Sequence, residues 1–178
     1  MAKARSRKSK KIEPAPRSPL IIQSLTLLDQ AYNRKAWHGT NFRGSLMRVS
    51  PEQAAWRLSP KRHNIWEIVV HVAYYKYVLW RRITGQKKGG FPYRAEQSWG
   101  DWFVRPDRIS DAVWRDDLGL LKEYHNHLRD AVAGLRPEDD PKLWEKNQHR
   151  IIGAAYHDIY HAGQIQLLKR MYQDRRKK

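Results

Sequence analysis

At 178 residues, with a formal net charge of +17 and no cysteine, the chain is long enough for one domain with a core of its own. The missing cysteine excludes disulfides, thiolate metal sites and a cysteine nucleophile, so any bound metal must rest on histidine and oxygen ligands. No uninterrupted apolar run approaches the roughly 20 residues of a membrane span, and the basic N-terminus lacks the apolar stretch of a secretory signal; a cytoplasmic protein with no membrane partner is expected.

Residues 1–17 carry seven basic side chains against the single acid Glu13, and they read as a disordered basic tail. Residues 174–178, ending Arg175-Arg176-Lys177-Lys178, form a second, so the folded domain is expected over 18–173. More than half of the excess charge therefore lies in the tails, where counterion release supports weak, non-specific nucleic-acid binding. Ser18 is placed to cap a helix with Pro19 at its first position. Ile21, Leu25, Leu28 and Tyr32 follow at helical spacing and predict a first helix over 19–36. Two glycines within 37–44 break it, and Ser50-Pro51-Glu52-Gln53 starts a short helix to about Arg57.

Asn64, with Glu67 three residues on, makes a capping-box start for a helix over 64–83. Its apolar residues run nearly all round, so it should be well buried, with His71 beside Ile68 and Tyr75. From Thr84 to Ile109 no amphipathic pattern holds, yet the segment is too aromatic for disorder, and an ordered crossover packed over the bundle is expected, with a substrate lid as the alternative. Ser110 caps a third helix over 110–134, whose apolar face includes His125 while His127 points away. A linker with Pro137 and Pro141 leads to the last helix, 147–173. With no strand alternation, the expected class is all-α: a four-helix bundle with a long crossover connection.

The chemistry gathers on the last helix. His157 and His161 lie about 40° apart on one face, with Ala154, Ile165 and Leu168. Their Cβ atoms should be about 5–6 Å apart, close enough to share one ion. A buried imidazole ordinarily bonds a carbonyl or a tyrosine hydroxyl, and a bare HxxxH lacks the glutamate of the HExxH signature. His71, inward on a buried helix, supplies the third imidazole that the pair lacks. Three neutral imidazoles leave positions on a divalent metal open to water or substrate, and zinc, nickel, iron and copper all suit nitrogen ligands. Glu67, one turn before His71, is a candidate base that its capping role equally explains. His125 is a candidate catalytic residue or a core histidine. Gln164 and His38 are candidates to line a ligand pocket, with His63 near its mouth. Asp158 points about 80° away from the mean direction of the two histidines, which argues against a 2-His-1-carboxylate site.

Three stretches, Trp37-His38-Gly39, Arg62-His63-Asn64-Ile65-Trp66-Glu67-Ile68-Val69-Val70-His71 and Tyr156-His157-Asp158-Ile159-Tyr160-His161-Ala162-Gly163-Gln164-Ile165, resemble the DinB-like (DinB/YfiT) family over about residues 20–172. The resemblance implies a four-helix bundle, frequent homodimerisation, and a metal site made by one histidine of the second helix and two of the fourth, matched here by His71, His157 and His161. For some relatives it also implies thiol-dependent transferase or isomerase chemistry on a low-molecular-weight thiol. The expected function is thus a metal-dependent transferase or hydrolase acting on a small-molecule substrate. The alternatives are a nucleic-acid-associated protein that works through its tails, and a bundle whose metal is only structural.

Overall fold

The computed structural model describes residues 17–94 and 101–175, and all regular structure among them is helical. The helices are α1 (Pro19–Tyr32), the short α2 (Phe42–Ser45) and α3 (Pro51–Ala55), α4 (Ile65–Thr84), α5 (Asp111–Gly134) and α6 (Pro141–Asp174). α4 packs against α5 and α6, and α1 against the same two. The long helices thus form a four-helix bundle with α1 and α4 at opposite corners and a long crossover between α4 and α5.

Local chemistry explains the starts. The Asn64 side chain accepts from Glu67 N at 2.7 Å, and Glu67 Oε2 accepts from Asn64 N at 3.4 Å, completing the capping box of α4. Ser50 and Ser110 cap α3 and α5 by accepting from Gln53 N and Val113 N. Ser18 stands at the N-cap of α1 but makes no side-chain cap bond.

Several boundaries differ from expectation. α1 stops at Tyr32, because Asn33 N and Arg34 N both turn back onto Asp29 O, at 2.9 and 2.8 Å. The glycine-broken stretch after it still forms α2, since Asn41 Oδ1 accepts from Gly44 N at 2.8 Å. α3 ends at Ala55, short of Arg57. α6 begins at Pro141, six residues before the expected 147. Asp140 Oδ1 accepts from Leu143 N at 2.9 Å, Pro141 has no amide to leave unpaired in the first turn, and Trp144, Asn147 and Ile151 are buried at helical spacing from there on. A proline expected to punctuate a linker is instead the first residue of the longest helix. Most of the two basic tails, residues 1–16 and 176–178, lies outside the described residues.

The core has two apolar ends. One gathers Phe42, Trp66, Val69, Trp114, Leu121 and Ile165; the other gathers Ile21, Leu28, Leu79, Leu128, Val132 and Ile151. Between them on α4, α5 and α6 lies a buried polar layer, in which Lys76 Nζ donates to Asp158 Oδ2 at 2.7 Å and His125 stacks on Tyr32 at 3.6 Å. The crossover is ordered where it is described, with Phe103 buried and Phe91, Tyr93 and Trp102 packed on the core. Its anchor is Asp117 of α5, fully buried, which accepts from Arg105 Nη2 at 2.7 Å, Tyr93 Oη at 2.5 Å and Trp66 Nε1 at 2.6 Å. This pinning sets the crossover residues 101–103 over the face where α4 meets α6.

Candidate metal centre

α4 and α6 run antiparallel, so residues whose numbers rise on one helix meet residues whose numbers fall on the other. His71 therefore faces His157 and His161. His71 Nε2 lies 3.1 Å from His157 Nε2, which lies 3.0 Å from His161 Nε2. His71 and His161 are buried, and His157 is half-buried. Each outer ring is held from behind. His71 Nδ1 lies 2.9 Å from the carbonyl oxygen of Asp101, which can only accept, so Nδ1 carries the proton and Nε2 turns its lone pair inward. His161 Nδ1 donates to Gln164 Oε1 at 2.6 Å, while Gln164 Nε2 donates to Tyr160 Oη at 3.0 Å. The His161 Nε2 lone pair is thereby aimed inward as well.

Burial is the first cause that keeps these rings neutral. It pushes the His157 imidazole down to about 3, with repulsion from His161 and His71 adding to the shift. His161 falls to about 4, again by burial first and then His71, against the Gln164 hydrogen bond. His71 is also lowered by burial, opposed by Asp101. Two inward lone pairs opposite one further ring nitrogen make an acceptor-rich spot that a single N–H satisfies poorly and a cation satisfies well. The spacing fits as well. Two nitrogens bound at about 2.1 Å to one ion lie roughly 3.0–3.4 Å apart for angles between square and tetrahedral.

The family profile described as the DinB superfamily matches residues 35–165, a span that includes all three histidines. The chain belongs to the DinB superfamily. No curated protein and no solved structure matches it.

Within this DinB-superfamily bundle the remaining candidates separate. Gln164 holds His161 and lines a small hollow of about 260 Å³ with Trp102 and Met171. Glu67 is outside the convergent group: Arg57 and His63 donate to its carboxylate, and the Asn64 and Arg105 amides reach it too. Arg57 and Glu67 also border a hollow of about 700 Å³, which touches none of the three histidines. His125 lies in the polar layer, pushed down to about 2 by burial and by the charges of Lys76 and Arg129. His38 is exposed in the turn after α1. Asp158 turns to Lys76, so no carboxylate joins the histidines from α6.

Sequence reading passed over what the crossover contributes. Trp102 is sandwiched between His63 and His71, at 3.6 and 3.9 Å and nearly parallel to both. Tyr75 donates its hydroxyl to Asp101 Oδ2 and lies 4.8 Å from the His157 ring. The aromatic content of an otherwise glycine- and proline-rich segment was the signal available, and it carried no information about which ring would land where. A further cavity, of about 400 Å³, opens beside His157 and Tyr75.

Proposed function

We propose that the protein is a metal-dependent transferase or hydrolase, with one divalent transition metal (zinc, nickel or iron) held by His71, His157 and His161. Its substrate is a small molecule, and a low-molecular-weight thiol is the candidate nucleophile beside water. The observation that carries this reading is the convergence of three neutral imidazole nitrogens, two of them aimed by Asp101 and Gln164. Bound there, a metal would lower the pKa of water or thiol and polarise a carbonyl. The chain supplies the rest. Asp101 O and Gln164 Oε1 fix tautomer and ring plane, Trp102 covers one face of His71, and His157 borders the 400 Å³ cavity through which substrate approaches. Glu67 and His125, engaged elsewhere, take no part in the proposed chemistry.

The assembly we infer is a homodimer working in the cytoplasm. α6 turns Tyr156, Tyr160 and Leu167 outward at 62, 63 and 56 % exposure, a stripe at helical spacing that a second copy would cover. The absence of cysteine suits a reducing compartment, and no helix among the described residues is long and apolar enough to cross a membrane. Sedimentation equilibrium at twice the chain mass checks the dimer.

Elemental analysis of untagged protein tests the central reading. About one transition metal per chain is expected, with thiol-transfer turnover that chelation abolishes. Protein that takes up no metal, even after incubation with zinc or nickel, would sink it. The basic termini would then lead, and removing residues 1–17 should remove most salt-dependent affinity for nucleic acid.

A further inference from the structure

The cavity beside His157 has an order that its volume does not convey. From α4 it is lined by Tyr75, Val78, Leu79 and Arg82. From α6 it is lined by Arg150, Gly153, Ala154 and His157. Each set follows the spacing i, i+3, i+4, i+7, which is one face of a helix. Because the helices are antiparallel, Tyr75 lies against His157 at one end, 4.8 Å between ring centroids, and the stripes end in Arg82 and Arg150 at the other. Seven residues of helix rise about 10 Å, so the hollow runs about that far from a histidine of the candidate centre to a pair of guanidinium groups.

Its walls are chemically divided. Val78, Leu79 and Ala154 supply an apolar middle, and Val78 and Tyr75 stay exposed at 40 and 43 %. Gly153 leaves the α6 wall open, and a Cβ placed there meets nothing within 4 Å. Arg150 Nη1 donates to Lys146 O of its own helix at 2.6 Å, which leaves its other N–H groups free to turn to the hollow. Among the described residues, no carboxylate pairs with Arg82 or Arg150. Two guanidinium groups on one cavity, without an acid to neutralise them, form a fork suited to a carboxylate or a phosphate.

We propose that this cavity is the substrate subsite of the three-histidine centre and takes a small amphiphilic anion, its carboxylate or phosphate held by Arg82 and Arg150, its apolar body along Val78, Leu79 and Ala154, and its reactive end at His157. The assignment rests on the enzymatic reading above and adds the charge and shape of the substrate. It also explains why an arginine pair stands at this distance from the histidines: a remote charged group orients the ligand so that its other end meets the reacting position.

Calorimetric titration tests it with three probes of one length, hexanoate, hexyl phosphate and neutral hexanamide, on zinc-incubated and on metal-free protein. At least one anion should bind at least ten-fold more tightly than hexanamide, and the tighter anion identifies carboxylate or phosphate as the preferred head. Arg82→Gln/Arg150→Gln should weaken that anion at least ten-fold and leave hexanamide unchanged. Gly153→Leu, whose Cβ meets nothing within 4 Å, places its side chain in the hollow and should abolish binding of all three probes while the helical signal and melting temperature hold. Failure of either anion to bind the parent protein, equal binding of hexanamide, or undiminished binding in the double-arginine variant would each overturn the inference. Metal content measured on the same samples keeps the two readings apart. Zinc-incubated protein that retains metal but binds no anion refutes the subsite alone, and anion binding by protein that takes up no zinc on incubation refutes the metal-dependent reading alone.

Discussion

Two buried polar groups lie side by side between α4 and α6, and they solve the cost of burial differently. Lys76 and Asp158, both about 1 % exposed, neutralise one another across 2.7 Å. Burial still raises the Asp158 carboxyl, against the pull of Lys76. One turn away, His71, His157 and His161 avoid charge by staying neutral, and aim lone pairs at a common point. In the first, opposite charges meet directly through Asp158 Oδ2, while Asp158 Oδ1 has no hydrogen-bond partner. The second presents neutral ring nitrogens that converge, and the backing bonds from Asp101 and Gln164 fix their orientation. The same two helices thus carry an ion pair and a cluster of neutral imidazoles, and hydrogen-bond direction tells them apart where burial does not.

That contrast is breakable. The largest effect is expected from His157→Ala/His161→Ala, which should take metal from about one ion per chain to none while circular dichroism keeps its helical signal. A collapse of helicity would instead put the histidines with Lys76 and Asp158 as core groups. Next comes Lys76→Met, which leaves Asp158 buried without its partner and should cost about 3–5 kcal/mol in chemical denaturation. Lys76→Met/Asp158→Leu should recover most of that loss, with metal content unaltered in both.

Gln164→Leu sharpens the other side. His161 loses the acceptor that fixes its tautomer, and metal affinity measured by chelator competition should fall about 10–100-fold with little change in stability. The smallest effect concerns acid. His125 is lowered from its ordinary 6.5 to about 2 by burial, Lys76 and Arg129, with Tyr32 stacked on its ring. Above pH 6.5 it is neutral in both folded and unfolded chains and adds no pH dependence. As pH falls towards 2, only the unfolded chain takes up this proton, so stability should drop by up to about 1.4 kcal/mol per pH unit from this one group. Replacing it, as in His125→Phe, should flatten the slope of unfolding free energy between pH 6 and 4 by up to one proton.

Much of this was legible before any coordinates. The four long helices follow from apolar periodicity; the expected caps form at Ser50, Asn64 and Ser110, whereas Ser18 makes no cap bond. The facing of His157 and His161 follows from four-residue spacing alone, and the inward direction of His71 from the apolar face around it. Pro141 misled because a proline ends a helix and starts one equally well; Trp144, in the stretch expected to be linker, is already buried. His125 shows a subtler limit. Periodicity indicates that a side chain points inward, but not at which level along the bundle it meets its neighbours, and His125 lies with Lys76 rather than with the other histidines.

What the sequence determined by itself is set within single helices: the existence of the four long ones, their buried faces and the HxxxH pair. Only the tertiary structure decided the antiparallel register that sets His71 against His157 and Arg82 opposite Arg150, and the path of a crossover pinned by Asp117 that delivers Asp101 and Trp102 to His71. Helical periodicity is a short-range rule carried by backbone hydrogen bonds four residues apart. The level at which two helices meet, and the landing place of a long loop, depend on the packing of the whole core.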